Sequence, residues 1–379
     1  MNLLYILNIF PRLSETFVLD QITYLLDRGY EVSILSYLRP GDLDPPDNLV
    51  HEDVLRYHLL ERVYYFRDVI GTIENLYQFS FAPNLAYIIN HTDLIIAHFA
   101  NTPTQIAERL SAYSGVPYIF TAHARDIFVN PDIEVLRQWV ERSAKVIVPT
   151  EFNRLYLLKL LGNSYEAKIQ VIRYGIDLVR FAPGPAHYQP RKAIIVLSVG
   201  RLVEKKGIDD AIRAFALVQA QYPQVMLRII GDGPLKSKIA HLVEELGLQT
   251  HVQLLGYGSR LLVKREMQEA DIFILPSYTA QDGDREGLPV AILEASAMCL
   301  PVISTLHTGI PEGVINGETG FLVDERDIAG LAQKLELLLH DERLRKEMGV
   351  AGRQHVARYY NLNIVMGELM TLIHEVVAR

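Results

Sequence analysis

Short apolar runs alternate with longer amphipathic stretches from end to end, the pattern of strands and crossover helices packed around mostly parallel sheets. In the first half the runs predict strands at Leu3–Leu7, Val32–Tyr37, Leu94–His98, Tyr118–Phe120, Val146–Pro149 and Ile169–Ile172. Helices Phe17–Arg28, Thr104–Tyr113 and Phe152–Leu161 fall between them. Pro183, Gly184, Pro185 and Pro190 then remove helix and strand together, which predicts a linker. The pattern restarts with strands Ala193–Val199, Val225–Ile230, Val252–Leu255, Ile272–Leu275 and Val302–Ser304, and with helices Ile208–Gln219, Leu235–Leu246 and Pro289–Met298. A final amphipathic helix, with Ile364, Met366, Leu369, Leu372, Ile373 and Val376 apolar, lies beyond any strand that would pair with it. The expectation is α/β throughout: two doubly wound domains, 1–184 and 191–360, with a helix over 361–379 returning to the first. Open sheets of this kind bind ligands at the carboxyl ends of their strands, so a cleft between the domains is the default site.

Composition narrows the class. A chain of 379 residues, 49% hydrophobic and 22% charged, has the length and balance of two globular domains. The net charge of -8, with no basic surplus in either half, speaks against a nucleic-acid binder. The single cysteine, Cys299, forms no internal disulfide or metal spacing and fits a reducing compartment. The N-terminal apolar stretch lacks a basic start and is interrupted by Pro11, Arg12 and Glu15, and no apolar run reaches the roughly 18 residues of a membrane span. The expected location is cytoplasmic, with peripheral contact at the inner face of the cell membrane. Tyr64, Tyr65, Phe66, Tyr77, Phe79 and Phe81 supply either such a surface, an acceptor groove or, more simply, core.

Between a strand ending at Gly200 and a helix opening at Gly207 stand Arg201, Lys205 and Lys206. Backbone amides at a helix start, a guanidinium fork and an ammonium together suit a phosphate, and a solvated turn is the competing reading. Further on, Glu286 and Glu294 lie eight residues apart, with Gly287, Leu288 and Pro289 following the first. If one helix ran through both, they would share a face about 12 Å apart, where carboxylates accept hydrogen bonds from sugar and ribose hydroxyls. An acid amid Ile292, Leu293 and Ala295 is costly to bury without a partner, which favours a role for Glu294. Gly231-Asp232-Gly233-Pro234 allows close backbone approach, but the dinucleotide fingerprint fails there at Lys236 and, for Gly256-Tyr257-Gly258, at Leu261. That counts against an NAD-dependent oxidoreductase. Asp282 and Asp284 form an acid pair of a kind that holds divalent metals, ranked below chance spacing. His123 and His98 sit at strand ends, and Ser14 or Thr16 is placed to cap the first helix.

In combination these segments resemble the family 4 retaining glycosyltransferases, which have the GT-B fold of two Rossmann-like domains. The resemblance rests on VGRL…EKKG from Val199 to Gly207, GDGP at Gly231–Pro234, ADIFILPS at Ala270–Ser277, the Glu286/Glu294 pair, and PEGVINGETGFLV at Pro311–Val323. It implies an acceptor-binding first domain and a donor-binding second one. Arg201 and Lys206 would hold the donor diphosphate, Glu294 the ribose, and Glu286 the transferred sugar. Gly231, Tyr257 and Gly287–Pro289 would line the nucleotide, and His123 the reaction centre. The N-terminal FPRLSETF looks like the exopolysaccharide and colanic-acid subgroup, in which Ser14, Glu15 and Thr16, with His98 and Asp126, become acceptor contacts. The implied donor is a UDP- or GDP-sugar, the acceptor a glycan or lipid-linked glycan, and the transfer retaining, closed off from water and without an obligatory metal or cofactor. A GT-B-type nucleotide-sugar 2-epimerase and a non-catalytic nucleotide- or carbohydrate-binding protein are the alternatives.

Overall fold

The computed structural model describes residues 1–12, 15–40, 52–72, 75, 78, 82–184 and 193–378. The chain divides into two compact units, Met1–Gly175 with Val365–Arg379, and Ile176–Ile364. Pro185 and Pro190 of the predicted linker lie outside the described residues, as do Ser14, Tyr77, Phe79 and Phe81. Residues 176–184, expected with the first domain, belong to the second unit. Buried Phe181 and the Arg353 guanidinium, which donates to the carbonyls of Phe181 (2.9 Å) and Leu178 (3.2 Å), hold them there.

The first unit carries strands β1 (Asn2–Ile9), β2 (Glu31–Leu38), β3 (Val63–Tyr65), β4 (Leu94–His98), β5 (Tyr118–Thr121), β6 (Lys145–Val148) and β7 (Ile169–Val171). Among the described residues they form one parallel sheet in the order β3-β2-β1-β4-β5-β6-β7. A parallel sheet is covered on both faces, and Leu3–Leu7 is accordingly buried without alternation. The helix Leu362–Val377 buries Val365, Met366, Leu369, Leu372, Ile373 and Val376. Its His374 Nε2 lies 2.9 Å from the Tyr30 hydroxyl. Ile364, expected in the apolar stripe, is exposed, because the buried face begins one residue later at Val365.

The second unit carries β8 (Ile195–Val199), β9 (Met226–Ile230), β10 (Val252–Gly256), β11 (Ile272–Ile274), β12 (Val302–Thr305) and β13 (Gly320–Val323), all parallel, in the order β10-β9-β8-β11-β12-β13. Strand order reverses between β1 and β4 in one sheet and between β8 and β11 in the other. Both sheets therefore have the doubly wound switch point beside which ligands bind in this architecture.

Several boundaries differ from the sequence reading. The helix expected over Pro289–Met298 runs Val290–Ala297, so Glu286 precedes it and one helix does not pass through both glutamates. The first helix spans Thr16–Leu26 with Glu15 at its N-cap position; the Glu15 side chain makes no capping hydrogen bond and pairs with Arg12 at 3.0 Å. Strands β3 and β13 and the helices Ile133–Arg142 and Arg260–Glu269 were absent from the pattern reading.

Candidate active site

The cation loop lies at the switch point of the second sheet. Chain leaving β8 passes so close to the turn after β9 that a Cβ on Gly231 would stand 1.9 Å from the Gly200 carbonyl oxygen. Leu202 N–H donates to Asp232 O at 2.9 Å, and Leu235 N–H to Leu202 O at 3.0 Å. Gly231 thus gives room to the loop that carries Arg201. At the far end Gly207 has φ +64°, and a Cβ there would meet Pro276 O at 2.0 Å, just beyond β11. Asp209 and Asp210 fill the first turn of the helix Ile208–Gln219 and pair with Arg326. The helix start is therefore already faced by carboxylates, and attraction for an anion falls to the side-chain cations.

Those cations converge on Glu286. Lys206 Nζ is 3.0 Å from Glu286 Oε2, and Lys205 Nζ is 3.2 Å from Oε1. Lys205, buried, also contacts Asp284 Oδ1 and donates to Arg285 O, each at 3.0 Å. Burial pushes the Glu286 carboxyl up, but the charges of Lys206 and Lys205 and their hydrogen bonds bring it down to about 2. Lys206 is itself lowered: burial acts first, and the like charges of Lys205 and Arg201 add to it against the support of Glu286. Glu286 and Asp284 face the ammoniums of Lys205 and Lys206, and Arg201 adds a third positive charge that acts on Lys206, a surplus that an incoming anion relieves. The exposed Arg201 side chain makes no hydrogen bond or ion pair to another described residue.

Glu286 sits in a braced segment. Its N–H donates to His307 Nε2 at 3.1 Å, while its carbonyl accepts from the Thr308 hydroxyl at 2.6 Å. His307 Nδ1 is 2.6 Å from Glu325 Oε1, and Glu325 Oε2 accepts from Thr279 N–H at 2.9 Å. Gly287 O accepts from Gly309 N–H at 3.0 Å. Leu288 and Pro289 are buried, and Leu288 packs so closely on Gly313 that a Cβ there would meet it at 2.9 Å. Glu294 is buried inside the helix, and Tyr257, just after β10, is 39% exposed. Asp284, weighed as a metal ligand, is occupied by the Lys205 ammonium, and its N–H is capped by Asp282 Oδ1 at 2.9 Å.

In the first unit, His98 ends β4 and His123 follows β5. The Thr121 hydroxyl lies 3.0 Å from His98 Nδ1 and 2.7 Å from His123 Nε2, and His123 Nδ1 lies 3.0 Å from the Tyr174 hydroxyl. Phe17 packs against His123 with ring centroids 5.0 Å apart, and Phe99 does so at 4.7 Å. Burial holds His98 well below its ordinary value and His123 at about 3, so both rings are neutral hydrogen-bonding groups. The Asp126 carboxylate accepts from the N–H groups of Ala100 (2.8 Å), Ala124 (2.7 Å) and His123 (3.1 Å). It ties together the loops after β4 and β5, a task that sequence reasoning did not foresee when it grouped Asp126 with acceptor contacts. Thr121, His307, Thr308 and Glu325 were likewise not singled out from the sequence, where Lys205 carried no role of its own beside Arg201 and Lys206. For His307 and Glu325 the signal is one of register: Thr305 of β12 pairs with Val323 of β13, and each residue lies two positions further on.

Two family models match, "Glycosyltransferase Family 4" over residues 14–180 and "Glycosyl transferases group 1" over residues 185–355. The chain belongs to the family 4 glycosyltransferases. It is 33% identical over 403 aligned residues to "Putative colanic acid biosynthesis glycosyltransferase WcaL" of Escherichia coli, covering 96% of this chain and 97% of that one. It is 32% identical, with the same coverage, to the amylovoran biosynthesis glycosyltransferase AmsK of Erwinia amylovora. Among solved structures, Anabaena Alr3699/HepE in complex with UDP superposes with a TM-score of 0.80 at 18% identity, over 99% of this chain and 100% of that one. The fold is GT-B and the protein is a glycosyltransferase. Nothing in these relatives favours the epimerase, oxidoreductase or binding-protein alternatives. Among the described residues no helix is long and apolar enough to cross a membrane.

Proposed function

We propose that this glycosyltransferase moves a sugar, with retention and without an obligatory metal, from a UDP- or GDP-sugar to a glycan or lipid-linked acceptor in exopolysaccharide synthesis. One observation carries the donor assignment: Lys205 and Lys206 on Glu286, with the charge of Arg201 acting on Lys206, leave a positive surplus at the switch point between β8 and β11. A diphosphate seated there supports the charge on Lys206 that burial and its like-charged neighbours oppose, and charge growing on it as the glycosidic bond breaks strengthens the same contacts. Glu286, kept ionised, accepts hydrogen bonds from hydroxyls of the transferred sugar, and Glu294 does so from the ribose. The donor side thus belongs to the second unit, and the acceptor side to the first, where Glu15, Thr16, His98 and His123 are placed. The names of the two relatives covering nearly the whole chain, colanic acid and amylovoran biosynthesis glycosyltransferases, support an exopolysaccharide as product; peripheral contact at the inner face of the membrane is part of the proposal.

The test is calorimetric binding of UDP and GDP, with and without EDTA, followed by a screen of UDP- and GDP-sugars and by nuclear magnetic resonance of the product's anomeric centre. Binding of one nucleotide that is indifferent to EDTA and weakened in Lys206→Ala, with the anomeric configuration preserved, supports the proposal. Binding that needs a divalent ion and ignores Lys206, or a product with inverted configuration, overturns it.

A further inference from the structure

The brace behind Glu286 goes beyond ordinary loop packing. His307 is buried, and its two ring nitrogens face partners of opposite kind: a backbone N–H of Glu286 at Nε2 and a carboxylate of Glu325 at Nδ1. An N–H can only donate, so Nε2 carries a lone pair; a carboxylate accepts, so Nδ1 carries the proton. Thr279 N–H fixes the other oxygen of Glu325, and the hydroxyl of Thr308, next to His307, donates to the carbonyls of Glu286 and Gly287 at 2.6 and 3.0 Å. The backbone of Glu286 is thereby held at both its N–H and its C=O, while two lysines hold its carboxylate.

We propose that His307, protonated on Nδ1 alone, is a positioning residue that fixes Glu286 by accepting its backbone N–H, and that Glu325 sets this tautomer. The inference rests on the proposed role of Glu286 at the donor sugar. Its chemistry sets a direction for pH. Among the described residues, the charged groups that act on His307 are Glu325, Glu286 and Arg285. A second proton on the ring would point an N–H at the Glu286 N–H and abolish the bond, so acid would release the segment even while Glu325 still paired with the ring. Burial disfavours that second proton.

Two substitutions separate the two bonds. The side-chain carbonyl of His307→Gln reaches the Nε2 position and can accept from Glu286 N–H, whereas the amide of His307→Asn reaches the Nδ1 position and can only serve Glu325. Loss of one such hydrogen bond at a reacting group predicts a fall in kcat of about tenfold for His307→Asn, and of less than about threefold for His307→Gln. In full-length protein carrying nitrogen-15 histidine, His307 should show the Nδ1–H tautomer, and Glu325→Gln should weaken that signature. Equal loss in the two His307 variants, or an Nε2–H signature in the wild type, overturns the proposal. Glu286→Gln is the control for the underlying reading. If it leaves turnover intact, the role of Glu286 falls, and hydrogen exchange at the Glu286 amide decides the positioning: faster exchange in His307→Asn than in His307→Gln upholds it, and equal exchange overturns it.

Discussion

Lys206 Nζ and Glu286 Oε2 stand 3.0 Å apart, and the second oxygen of the same carboxylate is held 3.2 Å away by Lys205. Glu286 therefore keeps a cation when Lys206 turns to another anion, and Lys206 has reason to do so because burial and its like-charged neighbours oppose its charge. Lys206→Ala should weaken nucleoside-diphosphate binding by about tenfold to a hundredfold, the worth of one charge-assisted contact in a dry site. Titration calorimetry with UDP and GDP reads this directly, and unchanged affinity would remove Lys206 from the donor site.

Acid should erode stability in two stages. Glu286 has its carboxyl at about 2 against an ordinary 4.5, so its contribution is complete above pH 4.5 and is lost as pH falls from there toward 2. His123 is at about 3 against an ordinary 6.5: between those values the unfolded chain takes up a proton that the folded chain refuses, so stability already falls below pH 6.5. Each such group adds a slope of at most about 1.4 kcal/mol per pH unit. His98 acts in the same direction as His123. Urea unfolding from pH 7 to pH 5 should show the early loss, and His123→Gln should reduce its slope without removing it. A flat wild-type curve over that range would contradict the neutral buried histidines.

Gly207→Ala should be among the costly single substitutions of the second unit. The position combines a left-handed φ of +64° with a Cβ placed 2.0 Å from Pro276 O, so the cation loop must shift away from the chain leaving β11. Strain of this kind costs about 1–3 kcal/mol before any repacking. A thermal melt within a degree of wild type would show that the loop is not pinned as described.

Much of this was legible in the chain itself, and what escaped did so for identifiable reasons. The strand Leu94–His98 and the helix Ile208–Gln219 were read at their observed bounds, because a fully buried strand and a helix opened by glycine carry strong local signals. Lys206 and Glu286 were legible by type and spacing, and the structure brings them into contact. β3 was hidden in an aromatic stretch, since three residues at a sheet edge show no period. Only Lys206 carried a role in the sequence, and the short turn over Glu204–Lys206 sends the Lys205 ammonium to Asp284 and Arg285 O and that of Lys206 to the far oxygen of Glu286. The separation of Ile364 from Val365 likewise depends on where the last helix begins, which the stripe of apolar residues does not specify.

The two ends of the cation loop should separate stability from binding. Lys205 is buried against Asp284, Glu286 and the Arg285 carbonyl, so Lys205→Met leaves two carboxylates without their shared cation. Removing one partner from a buried ionic cluster costs about 3–5 kcal/mol, and the loss should appear as a lowered denaturant midpoint with an unchanged slope. The Glu286 carboxyl, relieved of one of its two cations, should titrate at higher pH, moving the acid limb of the rate profile toward neutrality. Arg201 is exposed, and Arg201→Ala should change stability by less than about 0.5 kcal/mol while weakening diphosphate binding and its dependence on ionic strength. If Arg201→Ala destabilised the fold as much as Lys205→Met, the division of labour within the loop would be wrong, and its three cations would have to be treated as one structural cluster.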